Sequence, residues 1–298
     1  MNSKVKVLSG YGIFNIINHI LLITLAILCI LPMINVLSIS FSSASKIAAG
    51  EVKLLPVEFT LNAYKLVLKD KTFWHALLVS VERVILGSVI TVALTIITAY
   101  PLSKNSRDFR ARRYYVWYIF FTMLFNGGMI PGFLVVYFTG LYNSIWALII
   151  PGAIAPFSVI LMLNFFRQLP NEMEEAAFMD GAGHWTILWQ IVVPVSKPVI
   201  ATITLFTMVN HWNAWFDAVL YLKKTQDYPL QAYLQSLLSA AVDISKYLTP
   251  EEMSHYYDLT PRNLRAAQIF IAAFPILITY PFLQKYFAKG LVIGSVKG

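Results

Sequence analysis

Long apolar runs alternate with short polar segments along this chain. About 20 consecutive apolar residues are enough to cross a bilayer as a helix. Six segments come close to that length, and they cover residues 13–39, 76–101, 115–139, 145–166, 198–221 and 266–287. The pattern predicts an all-α integral membrane protein with six transmembrane helices, forming a single transmembrane domain over residues 1–298.

The third run is interrupted by residues that weaken a helix. Gly127, Gly128, Pro131 and Gly132 lie near its middle, where they remove side-chain constraint and one backbone hydrogen bond. We therefore expect a bend inside this span. The bend has two interpretations that the residues leave open: a hinge or cavity, or a place where helices pack closely.

Composition and charge agree with a membrane location and predict its orientation. Hydrophobic residues make up 58% of the chain and charged residues 13%, and the formal net charge is +8. Basic residues in short loops stay on the cytoplasmic side. The loop after the second run is basic, whereas the turn around Leu141–Ser144 has no basic residue. Both termini are therefore predicted to be cytoplasmic, and the positive charge indicates orientation and not nucleic-acid binding. The basic residues of that loop are Lys104, Arg107, Arg110, Arg112 and Arg113.

The first apolar run is too long for the core of a secretion signal. It continues from Ile13 to Ile39, whereas signal-peptide cores span about 7 to 15 residues. An uncleaved membrane anchor is the expectation. Cys29 is the only cysteine, so the sequence predicts neither a disulfide framework nor a cysteine metal site.

A polar segment, residues 170–194, separates the fourth and fifth runs. Pro170 and the glutamates after it favour the start of a helix, and Gly181 permits a sharp turn afterwards. Ala176 and Ala177 would let another protein approach the backbone closely. Glu175 and Asp180 could make charged contacts at the edges of that approach. The predicted topology places this segment in the cytoplasm. The alternative is an interfacial amphipathic helix with no partner.

These residues resemble the EAA motif of ABC importer permeases. The spacing is Glu175-Ala-Ala, three residues, Gly181, nine residues, Ile191, one residue, and then Val193-Pro194 where the pattern has Leu-Pro. In that family the segment forms a coupling helix that seats in a groove of the ATPase subunit. The resemblance implies ATPase contacts at Glu175, Ala176, Ala177, Asp180 and Gly181.

Further segments are similar to carbohydrate-uptake permeases of the maltose type. They are Phe59–Tyr64, Gly127–Pro131, Trp212–Phe216 and the tail from Lys289. The resemblance implies a bacterial cytoplasmic-membrane importer of oligosaccharides, with an ABC ATPase dimer, a second homologous permease and an extracytoplasmic solute-binding protein. ATP and Mg would be bound by the ATPase, with no cofactor in this chain. The tail implies a second ATPase contact at Ser295, Val296, Lys297 and Gly298.

Within this group, the regions around Asn126 and Tyr221 look similar to permeases for larger or acidic oligosaccharides such as alginate or pectin fragments.

Polar and aromatic residues inside the apolar runs are candidates for the substrate path, because polar groups there tend to face a wet interior. Each has an alternative structural role. Asn210 and Asn213 could instead join helices. The aromatic residues could anchor the protein at the membrane interface. Arg83 could make a structural contact, which we favour. The candidates are Arg83, Asn210, Trp212, Asn213, Trp215 and Phe216.

The sequence contains no recognisable catalytic motif. It has no Gly-Lys dipeptide, so a phosphate-binding Walker A loop is excluded. It also has no His-Glu-x-x-His or Gly-x-Ser-x-Gly pattern, and its five histidines lack metal-ligand spacing. We therefore predict no catalytic or metal-binding residue. An intramembrane enzyme would need such a constellation. An ion-coupled secondary transporter is the main alternative, and it would need paired broken helices.

Overall fold

The computed structural model describes residues 10–105, 109–239, 259–275 and 277–278. Regular structure in these ranges is helical, apart from an isolated antiparallel bridge between Ser42 and Phe59. The predicted all-α class is confirmed.

The helices follow the order of the apolar runs. The first four are α1 (Gly10–Ser40), α2 (Ala44–Ala48), α3 (Asn62–Lys69) and α4 (Lys71–Ser103). The next six are α5 (Arg112–Leu124), α6 (Met129–Phe138), α7 (Pro156–Phe166), α8 (Asn171–Met179), α9 (His184–Ile187) and α10 (Val193–Val195), with a π-helical turn at Leu188–Val192. The last four are α11 (Lys197–Asn213), α12 (Phe216–Tyr221), α13 (Leu230–Ser239) and α14 (residues 261–275).

Two of these helices are long and apolar enough to cross a membrane by themselves, α1 from Tyr11 to Ser40 and α4. Three pairs of shorter helices meet the same criterion if each bent pair is one span. The described ranges therefore contain two to five candidate spans. The sixth predicted run, 266–287, is helical over its described part but extends beyond the described residues.

The third run bends where its glycines predict. Helices α5 and α6 meet at 117° across residues 125–128. Gly128 has φ +93°, a conformation open to glycine but costly for other residues. Asn126 Oδ1 accepts a hydrogen bond from the Gly128 N–H at 2.8 Å. The predicted break is confirmed, and the sharp angle makes this pair either a broken span or a re-entrant loop.

The fourth and fifth runs are also not continuous helices. The fourth begins as 3-10 turns at Ile145–Leu148 and Ile150–Gly152, and then bends by 46° into α7. The fifth, 198–221, is divided at Ala214 and Trp215 into α11 and α12. The fifth run is therefore not one continuous helix, and Arg83 binds the Ala214 carbonyl at the break. The span predicted over 198–221 stays a prediction.

The chain forms two compact units. The first comes from Met1–Lys71 and Leu237–Ala272, and its small core includes Ile39, Ile47 and Ala266. The second comes from Thr72–Ser236 and Ala273–Gly298. A larger core in the second unit joins the end of α4 to α7, α8, α9, the π-helical turn and α11. Its buried residues are Ile96, Ala99, Tyr100, Leu102, Val159, Met162, Leu163, Phe166, Ala177, Ile187, Leu188, Val192, Val199 and Ile203.

Candidate functional site

Helix α8 is the polar segment that the sequence singled out. It begins after Pro170, whose fixed φ suits a helix start, and carries Glu172 and Glu174 in its first turn, where carboxylates favour the positive end of the helix dipole. Lys104 at the end of α4 forms an ion pair with Glu174. The Lys104 ammonium also lies 3.9 Å from the centre of the Tyr100 ring. These contacts fasten the start of α8 to the end of α4.

Gly181 ends α8 in a left-handed turn. Its φ is +80°. The Gly181 N–H donates to the Phe178 carbonyl at 3.0 Å, and the Ala182 N–H donates to the Ala177 carbonyl at 2.9 Å. This pair of bonds is a Schellman motif, which satisfies the last carbonyls of a helix and favours glycine at this position. The sequence prediction of a short helix followed by a sharp turn is confirmed.

The two faces of α8 differ in exposure. Ala177 is 8% exposed and belongs to the core of the second unit. Glu175, Ala176, Asp180 and Gly181 are exposed. Met179 is also exposed, at 88%, and sequence reasoning missed it. Its position two residues before Gly181, at the end of the predicted helix, could have indicated that it is exposed. The exposed face therefore combines small, acidic and apolar residues.

A polar recess of about 780 Å³ lies beside α8. The Arg112 guanidinium donates to the Lys104 carbonyl at 2.7 Å across this region. Burial and the charge of Arg112 lower the pKa of the Arg167 guanidinium. Lys104 and Arg112, at the two ends of the basic loop after α4, thus lie beside α8. The polar lining includes Ser103, Lys104, Asn105, Arg112, Arg167, Asn171, Glu174, Glu175 and His184.

Arg83 is the centre of a second polar site. It is 2% exposed, and its guanidinium pairs with the Asp217 carboxylate, with one nitrogen 3.2 Å from Oδ1. It also donates to the Ala214 carbonyl at 3.1 Å and to the Leu148 carbonyl at 3.4 Å. Ala214 lies at the break between α11 and α12, where helical hydrogen bonding is interrupted. Arg83 therefore compensates the irregular backbone of the fourth and fifth runs.

The remaining path candidates do not form one lining. Trp212 is buried, whereas Asn210 and Asn213 are exposed. Trp215 and Phe216 pack edge to face with ring centres 5.6 Å apart. Assignment of these residues and of Arg83 to a substrate path stays a prediction.

His211 packs against the backbone of Gly87. A Cβ atom added at Gly87 would lie 2.4 Å from the imidazole Nε2. This close approach joins α4 and α11 near Arg83.

Asp217 escaped the sequence analysis, although it is the only acidic residue in 198–221. An isolated carboxylate in an apolar run is itself a signal that a partner exists. The predicted ATPase contacts Ser295, Val296, Lys297 and Gly298 lie outside the described residues.

No three His, Cys, Asp or Glu side chains in the described ranges are grouped to hold a metal ion.

The described helices include long apolar ones and bent apolar pairs that could cross a membrane, and the short polar helix α8 has an exposed face. Comparison with known proteins identifies the class. Residues 91–293 match the family "Binding-protein-dependent transport system inner membrane component", and the chain belongs to that family. It is a multi-pass permease subunit of an ABC importer in the inner membrane, and it is not itself catalytic. ATP is bound by the partner ATPase. This assignment decides against an ion-coupled secondary transporter.

Similar proteins cover nearly the whole chain. "Polygalacturonan/rhamnogalacturonan transport system permease protein YtcP" of Bacillus subtilis (strain 168) is 38% identical over 96% of this chain and 99% of the relative. "Protein LplC" of the same organism is 41% identical, over 96% and 95% of the two chains. A solved structure is described as a "bacterial ABC transporter involved in the import of the acidic polysaccharide alginate". One of its chains is 36% identical with a TM-score of 0.83, covering 92% of this chain and 96% of that one.

Proposed function

We propose that this permease has six spans within a single domain over 1–298, and that it forms an oligosaccharide path together with a second, homologous permease. Helix α8 is its coupling helix. A solute-binding protein delivers the sugar to the outer face, and ATP-driven closure of two ATPase subunits moves α8 and opens the path outward. Hydrolysis reverses the change. The mechanism is alternating access between two conformations.

The division of α8 into an exposed face and a buried face carries this proposal. Glu175 and Ala176 are exposed and available to a partner, while Ala177 packs into the core that also contains residues of α4, α7 and α11. Protein interiors are close-packed and transmit displacement. A force on the exposed face would therefore move several candidate spans together as one body.

The position of the basic loop supports a cytoplasmic location for α8. Lys104 follows the second apolar run and is part of the charge excess that predicts the inner side. Lys104 forms an ion pair with Glu174 and shares a recess with Arg112, so both basic residues lie beside α8. The basic charge beside α8 therefore supports a cytoplasmic location for this helix.

The names of the relatives support an oligosaccharide as substrate, and two of them specify acidic polymers. The relative from Bacillus is named for polygalacturonan and rhamnogalacturonan, and the solved transporter for alginate. Identities of 38% and 36% over more than nine-tenths of the chain make a uronate-containing oligosaccharide the favoured substrate class.

The test is to add bulk to the exposed face of α8. Ala176→Trp should lower the ATPase that co-purifies with the permease at least tenfold and abolish import of trigalacturonate into proteoliposomes. Ala49→Trp is the matched control, since it places the same bulk at an exposed alanine remote in sequence from α8. It should leave both measurements unchanged. Full assembly and import by Ala176→Trp would contradict the coupling role.

A further inference from the structure

Four aromatic rings, contributed by α6, by the turn that follows it and by the end of α12, pack together. Phe133 is central: its ring centre lies 5.7 Å from that of Tyr142 and 6.4 Å from that of Tyr221. Tyr137 lies 5.6 Å from Tyr142. We call Phe133, Tyr137, Tyr142 and Tyr221 the tyrosine cluster. Rings at these separations pack favourably.

The backbone fixes the cluster through Asn143. This residue has φ +60°, a left-handed conformation that asparagine adopts more readily than most residues other than glycine. Its N–H donates to the Tyr221 carbonyl at 2.9 Å, and its Oδ1 accepts from the Lys223 N–H at 3.0 Å. Both bonds join the turn after α6 to the end of α12. They hold together the two backbone segments that carry Tyr142 and Tyr221.

The cluster is partly exposed and has a lysine beside it, with Phe133, Tyr142 and Tyr221 half-buried. Tyr137 is 53% exposed, and Lys223 and Lys224 are exposed. The Lys223 ammonium lies 5.5 Å from the centre of the Tyr142 ring. Asp217, one turn before Tyr221, is already paired with Arg83. Its carboxylate is therefore occupied by Arg83, and Lys223 is the charged group beside the Tyr142 ring.

We propose that the tyrosine cluster and Lys223 bind a uronate-containing oligosaccharide as it enters the permease. The inference rests on the proposed function, which places the turn after α6 on the outer face where the binding protein delivers substrate. The apolar face of a pyranose ring stacks on the half-buried ring of Tyr142. The sugar carboxylate accepts a charge-assisted hydrogen bond from the Lys223 ammonium. A neutral sugar has no carboxylate to pair with Lys223, so this arrangement of ring and ammonium would favour a uronate.

Anchoring at the membrane interface is the competing role for exposed tyrosines. An interfacial anchor would not discriminate between solutes, and its removal would leave sugar affinity unchanged. Direct binding therefore separates the two roles, provided that an exposed tyrosine outside the cluster serves as the comparison. Tyr118 in α5 is 67% exposed and meets that need.

The experiment measures fluorescence anisotropy of labelled trigalacturonate with the intact transporter in nanodiscs, without binding protein. Losing one hydrogen bond to a charged group weakens binding about tenfold, so Lys223→Gln should raise Kd by about that factor. Tyr142→Leu should raise it at least fivefold. Lys224→Gln and Tyr118→Leu should stay within twofold of wild type. Unlabelled galactotriose should compete less well than unlabelled trigalacturonate. In Lys223→Gln the affinities of these two competitors should become more similar.

Three results would overturn the inference. They are unchanged affinity in Lys223→Gln and Tyr142→Leu, equal weakening in the two control variants, or no binding at millimolar trigalacturonate. Import by the same preparation, with binding protein added, tests the proposed function separately. A transporter that imports trigalacturonate but gives any of these results retains the proposed function and loses this site.

Discussion

Replacing Arg83 by methionine should destabilise the permease strongly, because it leaves several buried polar groups without a partner. The guanidinium is 2% exposed and donates four hydrogen bonds, two to Asp217 and one each to the carbonyls of Ala214 and Leu148. Removing one partner of a buried ion pair costs about 3–5 kcal/mol. The Asp217 side chain is 29% exposed, so water would stabilise its unpaired carboxylate in part. We therefore expect Arg83→Met to lower the free energy of unfolding by about 3 kcal/mol.

The assay is thermal unfolding of the purified transporter, followed by intrinsic fluorescence. At about 2–4 °C per kcal/mol for large domains, Arg83→Met should lower Tm by about 6–12 °C. The adjacent Glu82 is exposed, and Glu82→Gln should change the stability by less than about 0.5 kcal/mol.

A double-mutant cycle isolates the ion pair itself. Arg83→Met combined with Asp217→Leu removes both charges, so no uncompensated carboxylate remains. The double variant should be less destabilised than the sum of the single variants by about 2 kcal/mol. Simple additivity, or a Tm for Arg83→Met equal to that of Glu82→Gln, would refute the reasoning.

Two glycines give further predictions. Gly181→Ala forces a left-handed φ on a residue with a Cβ atom and should cost about 1–2 kcal/mol. Gly183→Ala, at φ −80° with open space around it, should cost little. Thermal unfolding measures the stability of both variants. Equal stability would contradict the role of Gly181 in the Schellman motif. Gly87→Ala would clash with His211 and should lower the free energy of unfolding by about 1–3 kcal/mol. The double variant Gly87→Ala/His211→Ser should regain part of that stability. A double variant as unstable as Gly87→Ala would show that His211 is not the residue that clashes.

The features that sequence predicted well depend on local chemistry. Helix α8 follows Pro170 and ends before Gly181, because both residues restrict the backbone at their own positions. The break between α5 and α6 falls at Gly127 and Gly128 for the same kind of reason. Its angle of 117° was not predictable, since it depends on how the two helices pack against the rest of the unit.

The features that sequence missed depend on contacts between distant residues. No glycine or proline marks the division of the fifth run at Ala214. That carbonyl is bound by Arg83, 131 positions earlier in the chain. Likewise, Tyr142 and Tyr221 both pack against Phe133 where Asn143 joins two segments that are separated in sequence. Helical periodicity carries no information about such pairs.

Protection of helix α8 by the ATPase tests the central claim most directly. In a Cys29→Ser background, which removes the only cysteine, the Ala176→Cys variant places one thiol on the exposed face of α8. Maleimide should label this thiol from the cytoplasmic side, at least tenfold more slowly in the assembled transporter than in membranes lacking the ATPase. Equal rates in the two preparations, or labelling by an impermeant reagent from outside, would contradict the account.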